Sequence, residues 1–159
     1  TVSYSSSSSI AAVFNLAAGS YFIRIENNDG GAVRSTNADL TASTAPTWTT
    51  SAGSIGTFAA GSTISGLNVQ ASSDSNVTIT ETTSVLTSNS NTPATTMNLN
   101  LAGTPASSAT YTISGTAPSP TSDQTYNFTL RATDAEGQTA DRAFSITITV
   151  GANNSGQFN

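Results

Sequence analysis

The 159-residue sequence contains no cysteine, no histidine and no lysine. Thiolate and imidazole nucleophiles, Schiff-base chemistry and the usual zinc ligands are therefore closed to it. The same lack of cysteine means that hydrophobic burial and strand ladders must hold the fold without a covalent staple, in an oxidising or a reducing compartment alike. Cations are nearly as scarce, since only Arg24, Arg34, Arg131 and Arg142 stand against nine carboxylates, for a net charge of −5. Such a chain repels a phosphate backbone and is not expected to bind nucleic acid. No apolar run approaches the length of a membrane-crossing helix, and no basic segment leads into an apolar one as a secretion signal would. Membrane insertion is not expected. The chain opens on Thr1 with apolar alternation almost at once, which we read as the continuation of a longer polypeptide.

Serine and threonine supply about a third of the residues, a bias that in other settings marks disordered or glycosylated stalks. Here threonine alternates with Ile, Val, Leu and Phe, as in Val77–Glu81 and Phe144–Val150. A β-branched hydroxyl residue suits the solvated face of a strand, so the bias reads as folded β-structure with a hydroxyl-rich exterior. Period-2 alternation runs through the chain and no helical period competes with it, which predicts an all-β fold.

The spacing divides the chain at residues 44–46, where Pro46 breaks any continuing ladder. Residues 1–43 read as four or five short strands: one at Val2 and Tyr4, a polar turn over Ser5–Ser9, a strand over Ile10–Leu16, and a third in which Tyr21, Ile23 and Ile25 share one face. Asn27–Gly31 is the strongest hairpin signal, followed by returning strands at Ala32–Arg34 and Ala38–Ala42. Forty residues of this kind are too few to close a two-layer core alone. Residues 47–150 carry strand signals around Trp48 and over Ile55–Phe58, Thr63–Ala71, Asn76–Thr82, Thr95–Leu101, Thr110–Ser114, Thr125–Thr133 and Thr139–Val150, punctuated as a β-sandwich is. Residues 151–159 form a polar tail. The two parts echo each other, because Tyr21, Ile23, Ile25 and Asp29 recur at the same offsets as Tyr126, Phe128, Leu130 and Asp134.

From Pro46 to Phe58, through Tyr111–Pro118 and Tyr126–Gly137, to Arg142–Val150, the chain resembles the putative-Ig, dystroglycan-type cadherin-like domains. Ala18–Gly30 is similar to the second half of an IPT/TIG-type Ig-like domain. The tandem order and the opening PTWTTSAGSIGTF resemble structural proteins of tailed bacteriophages, including those of marine cyanobacteria. That resemblance implies immunoglobulin/cadherin-like β-sandwich modules in tandem, the first incomplete, in a non-enzymatic component of a virion. The same folds occur on bacterial surfaces, so an adhesin or extracellular filament subunit is the alternative, and a carbohydrate-binding accessory module a third. One departure stands out: the family's LP-GL-L segment is replaced by Val85–Leu101, rich in Ser, Thr and Asn, which reads as a different loop or edge.

Asp134, Glu136 and Asp141 bracket a turn, and the cadherin-like resemblance makes them the one candidate calcium set. Calcium wants six to eight oxygens, and the acidic linker motif is missing around Ser43–Pro46, so a solvated hairpin without metal is the preferred reading. No cofactor is expected. Nine carboxylates scattered over turns give no credible acid pair for a glycosidase. Trp48, the sole tryptophan, reads as a boundary plug in the core rather than a sugar platform, and Tyr21 and Tyr126 as core or corner tyrosines. The Asn-x-Ser/Thr sequons at Asn76, Asn127 and Asn153 are given no function in so hydroxyl-rich a chain. Exposed sheet edges with no lysine to block them predict assembly, with other copies of itself, with other virion or surface structural proteins, and with a host-surface glycan as a further candidate partner.

Overall fold

The computed structural model describes residues 2–6, 9–26, 29–90 and 92–151. Every regular element among them is a strand, in two units, Thr1–Thr44 and Ala45–Asn159. The Ser5–Ser9 turn, the Asn27-Asn28 half of the hairpin and the tail beyond Gly151 fall wholly or partly outside the described residues.

The first unit holds β1 (Val2–Ser6), β2 (Ser9–Ala12), β3 (Gly19–Tyr21), β4 (Arg24–Glu26), β5 (Ala32–Arg34) and β6 (Leu40–Ala42). They pair antiparallel as three separate two-stranded ladders, β1 with β2, β3 with β6 and β4 with β5. The strand expected through Tyr21, Ile23 and Ile25 is broken between β3 and β4. At Ile23 the backbone N–H donates to the Ser35 hydroxyl at 3.0 Å while the Ile23 carbonyl accepts from Ser35 N at 2.8 Å, so a side chain replaces one rung. The strand expected over Ile10–Leu16 stops at Ala12, leaving Val13 and Phe14 exposed. No side chain from Ala12 to Thr44 is buried among the described residues. The sequence echo with the second unit therefore does not extend to packing: Ile25 is 55% exposed, whereas Leu130 at the matching offset is 0% exposed.

The second unit is a β-sandwich of β7 (Thr47–Trp48), β8 (Gly53–Ala59), β9 (Thr63–Glu81), β10 (Asn100–Gly103), β11 (Ala106–Thr116), β12 (Gln124–Thr133) and β13 (Thr139–Thr149). One sheet runs β10-β11-β9-β7 and the other β9-β12-β13-β8, with β8 parallel to β13 and all other pairs antiparallel. The two stretches expected at Thr63–Ala71 and Asn76–Thr82 are one strand. β9 belongs to both sheets, and it crosses between them where Ser72 faces Ser108 but Val77 already faces Ala106. The extra residues on β9, Ser73–Asn76, are polar and small, which lets the backbone bend without burying an unpaired group.

Alternation places the core. On β12, Tyr126, Phe128, Leu130 and Ala132 are buried; on β13, Phe144, Ile146 and Ile148 meet them, Tyr126 opposite Ile146 and Phe128 opposite Phe144. The facing sheet contributes Ile64, Val69, Ala71, Tyr111 and Ile113. Each such large apolar side chain contributes about 1.5–3 kcal/mol by leaving water, which suffices for a core without disulfides. The residues between them are polar, Asn127, Thr129 and Arg131 on β12 and Ser145 and Thr147 on β13, and the Thr125 and Thr147 side chains lie 3.0 Å apart on the outer face.

Candidate functional site

Trp48 lies at the start of the second unit and is 9% exposed. Its ring meets Phe144 edge to face at 5.4 Å, and its indole N–H donates to the Ala140 carbonyl at 3.0 Å. β7 thus belongs to one sheet by backbone and ties to β13 of the other by side chain. Both the apolar face and the polar tip of the indole are occupied, so Trp48 is a core plug.

The hairpin between β12 and β13 carries the candidate calcium residues, and the structure disperses them. Asp134 accepts from Gln138 N through Oδ1 at 2.7 Å and closes the turn with Gly137. It is 5% exposed, and its Oδ2 has no hydrogen-bond partner. Glu136 accepts instead from the Ser75 hydroxyl, which itself accepts from Ala135 N, tying the hairpin to the crossing segment of β9. Asp141 forms a two-pronged pair with Arg131 at 2.7 and 2.8 Å. The Arg131 hydrogen bond and charge hold the Asp141 carboxyl below its ordinary range. Among the described residues no three acidic, imidazole or thiol side chains gather in a way that could hold a metal ion.

Residues 82–90 and 92–99 form the least expected part of the unit. The strand expected over Thr95–Leu101 is reduced to β10, and the rest is a strap across the sandwich. Glu81, the last residue of β9, anchors it. Its Oε1 accepts from Val85 N at 2.6 Å, Leu86 N at 2.8 Å and the Thr83 hydroxyl at 2.8 Å, while Oε2 accepts from Thr87 N at 2.9 Å and the Thr87 hydroxyl at 2.8 Å. Partial burial pushes the Glu81 carboxyl up, and the N–H groups of Leu86, Thr87 and Val85 more than offset it, so the group titrates below its ordinary range. Folding back on Glu81 takes Ser84 into the left-handed region, at φ 56°.

That anchor delivers Leu86 into the core with 0% exposure. Met97 N then donates to Val85 O at 2.7 Å and Leu99 N to Leu86 O at 2.8 Å, so Met97 and Leu99 are buried beside it. The Tyr126 hydroxyl donates to the Pro93 carbonyl, and burial raises its pKa. Between the strap and the end of β11 lies a shallow cavity of about 370 Å³, lined by Thr92, Pro93, Thr96, Met97, Asn98, Thr116 and Pro118. Its lining is neutral. Sequence reading located this departure but not the anchor, because a glutamate at a strand end carries no signal until the loop folds back on it.

The first unit presents the opposite surface. The exposed large hydrophobic side chains among the described residues, Val13, Phe14, Phe22, Ile23, Ile25 and Val33, all belong to it. Tyr21 is half-buried there and donates its hydroxyl to the Ala17 carbonyl at 2.8 Å, a corner arrangement rather than a core one.

No family model and no curated protein matches the chain. Among solved structures, the BIgI domain of beta protein from S. agalactiae bound to CEACAM1 is similar with a TM-score of 0.43 and 22% identity, over 66% of this chain and 97% of that one.

Proposed function

We propose that the chain is a structural and adhesive module without chemistry of its own, working through assembly and repeated weak contact. The observation that carries this is the unequal distribution of apolar surface. The second unit closes its own core and shows hydroxyls outward, whereas the first leaves large hydrophobic side chains in water. A monomer gains nothing from such a face; a subunit does. The scarce carboxylates support the same reading, since Glu81, Asp123 and Asp134 each accept backbone N–H groups and so act as fasteners.

A virion is the setting we propose, as capsid decoration, neck or tail-fibre component. It is supported by the resemblance of the Pro46–Phe58 opening and of the module order to tailed-phage structural proteins. Mass spectrometry of purified particles tests it, with antibody labelling to place the chain. Recovery in the particle fraction supports the proposal. Recovery in a bacterial envelope fraction and not in particles replaces it with the surface-adhesin reading.

A further inference from the structure

We infer that the second unit is a load-bearing link, which resists tension drawn along the chain through shear of β8 against β13. This deepens the module reading above, on which it rests, by naming what the module carries. The chain enters the unit at Ala45 and leaves β13 at Val150, so tension along it reaches β8 by its N-terminal end and β13 by its C-terminal end. The two strands are parallel neighbours, with Gly53 beside Phe144 and Ala59 beside Thr149. The pulled ends therefore lie at opposite ends of one ladder, and all its rungs are loaded together. In an antiparallel pair the pulled ends would lie side by side, and the rungs would open one after another.

Further ties continue this ladder at both ends. Before β8, the Trp48 indole donates to the Ala140 carbonyl at 3.0 Å and Arg142 Nη1 to the Thr50 carbonyl at 2.7 Å. After it, Ala60 N donates to the Thr149 carbonyl at 2.9 Å. The segment from Trp48 to Ala60 is thus fastened to β13 from Ala140 to Thr149. β13 is itself held in place, since it pairs with β12 from Thr139 opposite Thr133 to Ile148 opposite Gln124, and Val150 N donates to Asp123 Oδ1 at 2.7 Å where the chain leaves. Core formation does not account for β8. None of its residues is buried, and Ile55 and Phe58 only flank the core. What β8 supplies is a row of hydrogen bonds. Each adds little to equilibrium stability, because water competes for its partners, but rungs loaded together must all break before the strand can move.

Single-molecule pulling on the full chain tests the shear joint. Because the chain has no cysteine, pairs of introduced cysteines fix the points of attachment. Ala45→Cys with Gly151→Cys draws the strands as tension along the chain does. Ala45→Cys with Ala135→Cys draws on the N-terminal ends of both strands, since Ala135 lies in the turn before β13. All three positions are exposed, and Trp48 fluorescence reports that each variant is folded before it is pulled. The first pair should unfold at a force several-fold above the second. It should do so in one main step that releases on the order of 300 Å of chain, at about 3.3–3.6 Å per extended residue. Ala60→Pro removes the rung to Thr149 at a turn position that suits proline, because Ser62 N donates to Ala59 O and Gly61 has φ 72°. It should lower the first force and leave the second, in which that rung is the last to be reached. Equal forces in the two directions, a lower force along the chain, or an Ala60→Pro variant that changes neither overturns the inference. If the chain is present in particles yet shows no such difference, the load-bearing role fails and the module reading stands. If the difference is found and the chain is absent from particles and envelopes, the module reading fails instead.

Discussion

Glu81 offers the sharpest test of how the second unit is held. Its carboxylate accepts five hydrogen bonds, and the Val85 and Leu86 N–H groups among the donors are partly buried. Glu81→Ala leaves those two without an acceptor at about 1–3 kcal/mol each, while water replaces the exposed contacts to Thr83 and Thr87 at little cost, so a loss of about 2–4 kcal/mol is expected. Glu81→Gln keeps one oxygen but sets an amide NH₂ against the Thr87 donors and removes the charge; about 2 kcal/mol is expected. Urea unfolding followed by Trp48 fluorescence reads both.

The pH dependence gives a second signature. In the unfolded chain Glu81 titrates near its ordinary value of 4.5, and in the folded chain below it. Its contribution is complete above the unfolded value and drains away as pH falls through the folded one. The gap between wild type and Glu81→Gln should therefore be constant from neutral pH to about 5 and close in more acid solution. Subtracting the variant removes the titration of Asp141, which is common to both. Equal stability at neutral pH, or a gap that persists undiminished in strong acid, refutes the anchor.

Gly103→Ala should destabilise by about 1–3 kcal/mol, because the added carbon would sit within the packed space of Tyr111. It would lie 2.6 Å from the Tyr111 ring and 2.7 Å from the Thr110 carbonyl oxygen, and an unchanged unfolding midpoint would refute that geometry. Tyr126→Phe removes the donor to the Pro93 carbonyl and should cost about 0.5–1.5 kcal/mol in the same assay. Asp141→Asn breaks an exposed pair with Arg131 and should leave the midpoint where it is, since water screens both partners. Calcium in excess should not shift thermal unfolding by calorimetry, because Asp134, Glu136 and Asp141 are each bound to a different protein group; a saturable rise would reverse that.

The sandwich was legible because its strands alternate cleanly. Phe144, Ile146 and Ile148 fall every second residue, and a register of that kind admits only one inward face. Trp48 was legible for a related reason, since a lone tryptophan just past a proline break has a short list of places to go. The course of β9 was not, because Ser73–Asn76 has the composition of a turn; only the pairs that flank it, Ser72 with Ser108 and Val77 with Ala106 on β11 and then Thr78 with Thr133 on β12, carry the strand through. The first unit misled in the opposite direction. Tyr21, Ile23 and Ile25 alternate as a core strand does, but alternation says which side chains share a face and not what covers it. The Ser35 hydroxyl that breaks the ladder at Ile23 carries no periodic signal at all.

The segment that departs from the family resemblance shows how a sandwich without cysteine or lysine replaces a missing apolar motif. Three apolar residues, Leu86, Met97 and Leu99, suffice to fill the core, but on a chain of Ser, Thr and Asn they would be held too loosely to stay there. One buried-end carboxylate supplies the rigidity, by drawing three consecutive N–H groups onto itself and fixing Leu86 relative to β9. The same economy recurs at Asp134, whose Oδ1 closes the β12–β13 turn, and at Asp123, which accepts from Val150 N at 2.7 Å just past the end of β13. With three of its few carboxylates at backbone turns and Arg131 paired with Asp141 across β12 and β13, the outer faces of the second unit carry little unbalanced charge. Neutral faces do not steer partners by charge.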